Sequence, residues 1–351
     1  MESITANVYA HASYKKDEAA SLIFELTNHS KEPVHILKWN TPLEGLKTDC
    51  LAVLHNGKRI AYDGKLIKRG RPGPEDFLSL DPGRSAVAKI DVSESYDISK
   101  AGKVKVAYRA EKMVYFRQPV TESLLLTAST SNVVGRNLNV RSKDAAFLIS
   151  GGASPKLTAG ERVRRMEIKS DAALKPGGMI VEGLATGAAL LPCTCRGGTP
   201  AQQAKVVKAH ANGYRIAVKA LEEMKKNPFY KTWFGIYTQA HFAHVKKNFR
   251  KIKKDFETRH FIYDLGTQGC GKTDYAYTYP RTRTIWICSA FWSAPDTGAD
   301  SKAGTIVHEH SHASALTEDN AYGEDDCRTL AVKKPGMAIR NADSHEFFAK
   351  G

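Results

Sequence analysis

The sequence predicts two domains: an N-terminal all-β, immunoglobulin-like sandwich and a mainly α-helical C-terminal domain with a small β element. Three observations carry this. The chain has 351 residues, and domains run to roughly 100–200 residues each. Up to about residue 165, short β-rich runs alternate with turn residues. From Ala201 onward the apolar spacing changes to threes and fours, the signature of helix.

In the first half, the runs Ala6 to Ala12, Ala20 to Leu26, Val34 to Trp39, Cys50 to His55, Ala86 to Val92 and Gly102 to Tyr108 read as strands. Asn56-Gly57, Asp63-Gly64, Pro72-Gly73-Pro74 and Asp81-Pro82-Gly83 punctuate them. Many short strands with closely spaced turns argue for a small sandwich. The boundaries fall at 1–165 for this domain, 166–200 for a connector and 201–351 for the helical domain. The connector holds Lys175-Pro176-Gly177-Gly178 and Gly197-Gly198-Thr199-Pro200, a density of breakers that suits an exposed, cleavable segment. Thr199 is placed to cap a helix reaching about Lys226, with Val206, Val207, His210, Tyr214, Ala217 and Leu221 on one face. A second helix is expected over Tyr237 to Thr258. Extended pieces follow at Tyr275 to Tyr279 and Thr284 to Cys288. A last strong helix runs from Ser301 or Lys302 to Ala315.

Composition removes several function classes. Apolar residues make up 42% of the chain, enough for a core in each half. No apolar run reaches the 18 or so residues of a membrane span. The stretch Met179 to Leu191 is too short, carries Glu182 and reads as a buried or linker segment. The formal charge is +15, but Lys and Arg are spread along the chain. Their densest cluster, Lys246 to Lys254, lies in a helical pattern and reads as a solvated face. With no nucleic-acid fold signature, no nucleic-acid partner is expected. Six cysteines (Cys50, Cys193, Cys195, Cys270, Cys288 and Cys327) suit a secreted, disulfide-bearing protein. The opening residues MESITANVYA show no apolar signal segment, so secretion rests on other grounds.

The chemistry concentrates in His308-Glu309-His310-Ser311-His312. Helix positions i and i+4 share a face, so His308 and His312 can point imidazole nitrogens at one metal ion. Glu309 then stands beside the open coordination position, where a carboxylate can move a proton. Gly304-Thr305-Ile306-Val307 supplies the small and apolar lead-in of a buried active-site helix. A catalytic zinc needs a third protein ligand. Six positions after His312 stands Glu318, which excludes a third-histidine pattern of the metzincin kind. Asp319 and the more distant Glu346 remain as candidates, with Glu318 and Asp325 in reserve. His310 is expected to be solvated or to support the site from behind. His345 is read as structural or as bonded to a site carboxylate, and Phe291 and Trp292 as core.

Thr317-Glu318-Asp319-Asn320-Ala321-Tyr322-Gly323 resembles the GTxDxxYG signature of the aspzincins, the deuterolysin and peptidyl-Lys metalloendopeptidase family. The blocks Cys288 to Pro295, Asp300 to Thr305 and Asn341 to Phe348 are similar to that family as well, and together they cover most of residues 200–351. Leu316 stands where the signature has its first Gly, and the stretch from His312 to Asp319 is shorter than in fungal members. The resemblance implies a zincin-like domain with one zinc ion held by His308, His312 and Asp319. Glu309 would be the general base and Tyr322 a donor to the oxyanion. Asp343 and Glu346 would line the pocket for a lysine on the carboxyl side of the cut. The resemblance also implies a Cys270–Cys288 disulfide. Cys327 is expected to pair with Cys193 or Cys195, and Cys50 to be free or bonded to the other.

The function expected is that of a secreted zinc endopeptidase cutting proteins or peptides on the amino side of lysine. Its β-rich half would be a propeptide that inhibits it intramolecularly, and the chain would be a monomer. Lys169 or Lys175 in the connector would be a processing site. Two alternatives stand beside this: a deuterolysin-like protease of broader specificity, and a non-catalytic zinc-containing binding or adhesion protein. Glu309 argues against the last, because a structural metal site needs no base.

Overall fold

Two compact units make up the chain, and their sequence limits interleave. One comprises Met1–Lys65 and Pro72–Arg162, the other Leu66–Arg71 and Val163–Gly351. The computed structural model describes residues 4–130, 136–152, 155–171 and 190–351. Lys175 and most of the Met179 to Leu191 stretch lie outside these. Lys169 lies in the helix Ala159–Asp171.

The first unit is β-rich. Ile4–Tyr9, Ser21–Asn28 and Ser85–Asp91 form a three-stranded antiparallel sheet. A second sheet is organised by the 15-residue strand Gly102–Phe116. It pairs with Val34–Leu37, Leu51–His55, Arg136–Arg141 and Ala145–Ser150 along its length. The two-residue period decides which side chains go inside: Ile4, Ala6 and Val8 are buried in one strand, Leu22, Phe24 and Leu26 in the next. Asn56-Gly57 closes the hairpin between Leu51–His55 and Lys58–Arg59, both residues taking positive φ (49° and 79°). The all-β expectation for residues 1–165 is amended by a helix at Glu122–Thr130 and by the start of the helix Ala159–Asp171.

The second unit is helical around one five-stranded sheet. Thr194–Arg196, Ile262–Asp264 and Thr284–Ile287 run parallel in that order. Asp274–Thr278 then runs antiparallel to Thr284–Ile287. The edge position is taken by Leu66–Arg69, antiparallel to Asp274–Thr278. The sequence reading had no strand at Leu66.

The helix Pro200–Glu222 begins at a capping box, with Thr199 and Gln202 bonding each other's backbone and Pro200 in the first turn. The helix Gln239–Thr258 buries Val245, Asn248, Phe249, Ile252 and Phe256, spacing that lays one stripe on the core. No helix among the described residues is long and apolar enough to cross a membrane.

Cys270 and Cys288 are joined by a disulfide. The expected bond from Cys327 to Cys193 or Cys195 is not formed, and Cys50, Cys193, Cys195 and Cys327 are all free thiols. Cys327 points into a polar niche of its own, its sulfur 3.2 Å from Asn341 Nδ2 and 3.7 Å from Ala321 O. Cys50 and Cys193 are buried apolar groups, which suffices to explain a thiol in a core.

Candidate active site

Ser301 caps the motif helix Lys302–His310 by accepting a hydrogen bond from Gly304 N at 3.0 Å. The helix is buried throughout and continues through a wider π-type turn, Ser311–Ala315, that carries His312. Leu316 ends it in the left-handed conformation, φ 60° and ψ 42°. This is the position where the resembled signature has Gly. A non-glycine residue pays about 1–2 kcal/mol there. Leu316 is 39% exposed. Leu316→Gly is therefore expected to stabilise the chain by roughly 1 kcal/mol, a rise of about 2–4 °C in a thermal melt. An unchanged or lower melting temperature would remove this account of the turn.

Past the turn, the chain returns to the helix and fixes its polar groups. Ser311 Oγ lies 2.6 Å from Thr317 Oγ1, and His312 Nδ1 lies 2.8 Å from Thr317 O. Glu318 N donates to Arg340 O, and Asn341 Oδ1 accepts from Asn320 N and Ala321 N. These bonds bring Asp319 against the two histidines. His308 Nε2 and His312 Nε2 are 3.0 Å apart, and Asp319 Oδ1 is 3.3 and 3.1 Å from them.

The other ring nitrogens face acceptors, His308 Nδ1 towards Asp343 Oδ1 at 2.7 Å and His312 Nδ1 towards Thr317 O. With each ring's single proton on that nitrogen, both Nε2 atoms would turn bare lone pairs on a carboxylate oxygen, the arrangement a bound cation requires. Three lone-pair carriers at this distance repel unless a cation sits among them. Donors bound to tetrahedral zinc at about 2.0–2.1 Å lie roughly 3.4 Å from each other, so the triangle fits such an ion. Without such an ion, protons supply the positive charge that the cluster draws in. Against burial, Asp319 and Asp343 raise the His308 imidazole to about 10. Against burial, His312 and His308 hold the Asp319 carboxyl far below the carboxylate range.

Glu309 is fully buried beside this triangle. Burial pushes its carboxyl up to about 7, with His308 and His312 opposing. A carboxyl near neutrality can both take and return a proton. Its Oε1 lies 3.3 Å from the Lys68 backbone N, and its Oε2 has no hydrogen-bond partner among the described residues.

Next to the triangle is an acidic pocket. The helix Ala342–Ala349 supplies Asp343 and Glu346 one turn apart, both fully buried. Asp343 Oδ2 accepts from Gly323 N at 2.7 Å. Gly304 makes room for Glu346: a Cβ there would stand 2.5 Å from Glu346 Oε1. The Lys68 ammonium fills the pocket, 2.7 Å from Glu346 Oε2, 3.2 Å from Asp343 Oδ1 and 3.0 Å from Asp300 Oδ1. Tyr275 and Phe347 flank it, ring centroids 5.4 and 5.6 Å away. Burial works against the Lys68 charge, but Asp343, Glu346 and Asp300 hold it protonated.

Thus His308, Glu309, His312, Asp319, Asp343 and Glu346 come together at one place. Tyr322 sits half-buried at the start of the helix Gly323–Lys333. Two residues quoted only as parts of family blocks gain roles: Asp300 faces the pocket, and Asn341 clamps the loop that carries Asp319. Lys68 carried no signal at all. His310 is not solvated. It is sandwiched between Phe256 and Phe261, both at 3.8 Å, on the helix's core side. His345 bonds Asn341 O and faces Asn248, a structural role.

The profile of a family described as "Lysine-specific metallo-endopeptidase", the aspzincins, matches residues 219–350. An extracellular protease of Aeromonas hydrophila is 30% identical over 335 residues, covering 93% of this chain and 86% of the relative. A peptidyl-Lys metalloendopeptidase of Grifola frondosa is 26% identical over 352 residues, covering 94% and 87%. Among solved structures, a zinc peptidase from Grifola frondosa shares 31% identity at a TM-score of 0.40, covering 44% of this chain and 96% of that one. With a histidine pair, an aspartate and a buried glutamate in one cluster, and with relatives aligned over nearly the whole chain, the protein belongs to the aspzincin family of zinc metalloendopeptidases.

Proposed function

We propose that the chain is a secreted endopeptidase that cuts on the amino side of lysine. The observation that carries this is the acidic pocket beside the candidate metal triangle, three carboxylates converging on one ammonium within 3.2 Å. His308, His312 and Asp319 would hold a single zinc ion. When bound, zinc supplies a Lewis acid that acidifies water and polarises the scissile carbonyl. Glu309 takes the proton from the attacking water and delivers it to the leaving amine. Tyr322, three residues after Asp319, donates to the oxyanion. Asp343 and Glu346, joined by Asp300, select lysine through paired charge-assisted hydrogen bonds. Asp343 also orients His308, which ties the specificity pocket to the metal site.

The β-rich unit is read as an immunoglobulin-like propeptide and residues 166–200 as its connector, the chain being a monomeric zymogen. Two sheets with alternating burial and the "extracellular" name of the Aeromonas relative support this reading. The test is to digest an unfolded protein with the zinc-loaded chain and map the new N-termini by mass spectrometry. Lysine should occupy most of them. Termini scattered over other residues would favour the broader, deuterolysin-like reading.

A further inference from the structure

Leu66–Arg71 lies in the sequence of the β-rich unit yet packs in the protease unit. All four residues of its strand Leu66–Arg69 are buried. It forms the sheet edge antiparallel to Asp274–Thr278, with Leu66 opposite Thr278, Ile67 opposite Tyr277 and Lys68 opposite Ala276. Gly70 N extends the pairing to Thr273 O at 2.8 Å. An added edge strand is the way an extended peptide docks on a sheet, main chain giving affinity and pockets giving selectivity.

Two backbone groups leave that ladder for the catalytic cluster. Ile67 N donates to Asp319 Oδ2 at 3.1 Å, and Lys68 N to Glu309 Oε1 at 3.3 Å. The Lys68 side chain is in the acidic pocket. A lysyl peptide about to be cut needs these features together: an extended main chain on the sheet edge, the ammonium in the pocket, and the leaving nitrogen within reach of the base. A lysine with no exposed surface, surrounded by three carboxylates, is also an unusual component for an ordinary edge strand.

We propose that Leu66–Arg71 is an internal substrate mimic: Lys68 occupies the lysine pocket of its own chain, Ile67–Lys68 is the bond presented to the catalytic centre, and while the segment stays there external lysyl peptides are shut out. This rests on the lysine-directed reading above. It locates the occluding segment in the first half of the sequence, away from residues 166–200.

Competition within one chain lowers the apparent affinity for substrate by the fraction of chains whose groove is free. The test uses the intact, zinc-loaded chain and a quenched reporter peptide with a single lysine. Lys68→Ala is expected to raise kcat/KM at least about tenfold, the change produced when about a tenth of grooves are free beforehand. The milder Lys68→Gln should act in the same direction. Equal or lower rates from both folded variants overturn the proposal. If the lysine reading alone is wrong, Lys68→Ala still releases activity, but the products map to other bonds. Should neither chain turn the reporter over, binding of a fluorescein-labelled lysyl peptide to the zinc-loaded Glu309→Gln chain decides. Occupancy requires that adding Lys68→Ala tighten binding at least about tenfold. Equal binding, or none, defeats it.

Discussion

Replacing Glu309 by glutamine is expected to lower kcat/KM for peptide hydrolysis by roughly 10²–10⁴, the range of a positioned general acid–base group, and to leave zinc bound one to one. At a thousandfold, that is about 4 kcal/mol of lost transition-state stabilisation. Shape is preserved, since the amide replaces one carboxyl oxygen by nitrogen. Charge and basicity are what disappear. Glu309 is not one of the three atoms of the candidate metal triangle, whose contacts run among His308, His312 and Asp319. A buried carboxyl near pKa 7 is poised to exchange protons at neutral pH, and an amide cannot. Initial rates on a lysyl peptide, set beside zinc content by atomic absorption, check both halves. Retention of a tenth of the activity would rule out Glu309 as the base. Loss of zinc would move it into the metal site.

What was legible beforehand follows how local each signal is. The motif helix could be read because its cap, its apolar lead-in and its histidine spacing lie within 15 residues. The capping box at Thr199 could be read for the same reason. Asp319 came from a short signature, and its approach to the histidines then depends on a hydrogen-bonded turn that the sequence only hints at. Leu316 shows the physical meaning of the signature's glycine, a left-handed residue ending the helix.

The edge strand Leu66–Arg69 was invisible because pairing across some 200 residues creates it. Its Ile-Lys-Arg run argues for exposure until three carboxylates are placed around the lysine. Cysteine counting failed in a related way. An even number of cysteines says nothing of connectivity, and Cys327 is accounted for by Asn341 and the Ala321 carbonyl. Of the two readings of His310, the solvated one fails because helix phase alone does not reveal that Phe256 and Phe261 await it.

Substitutions in the acidic pocket should divide by what else each carboxylate touches. Glu346 contacts the ammonium at 2.7 Å and stands 3.7 Å from His308 Nδ1. Asp343 lies 3.2 Å from the ammonium but 2.7 Å from that nitrogen. Removing one partner of a buried ion pair costs about 3–5 kcal/mol, or roughly 150- to 4,000-fold in binding. Beside Lys68→Ala, Glu346→Gln is therefore expected to raise KM for lysyl peptides with kcat little changed, and to erode the preference for lysine over uncharged residues. Asp343→Asn should do this and also weaken zinc about 10–100-fold, because the carboxylate 2.7 Å from a histidine of the candidate metal triangle is gone.

A zinc titration with a competing chelator, run beside the KM and kcat comparison, separates the two. Identical profiles would mean that the pocket and the metal site are not divided in this way. The background chain matters. In the unsubstituted protein, Glu346→Gln weakens the hold on Lys68 as well as on the external lysine, so the two losses offset. The full effect of Glu346→Gln should emerge only beside Lys68→Ala. If it is equally large in both backgrounds, internal and external lysines do not share one pocket.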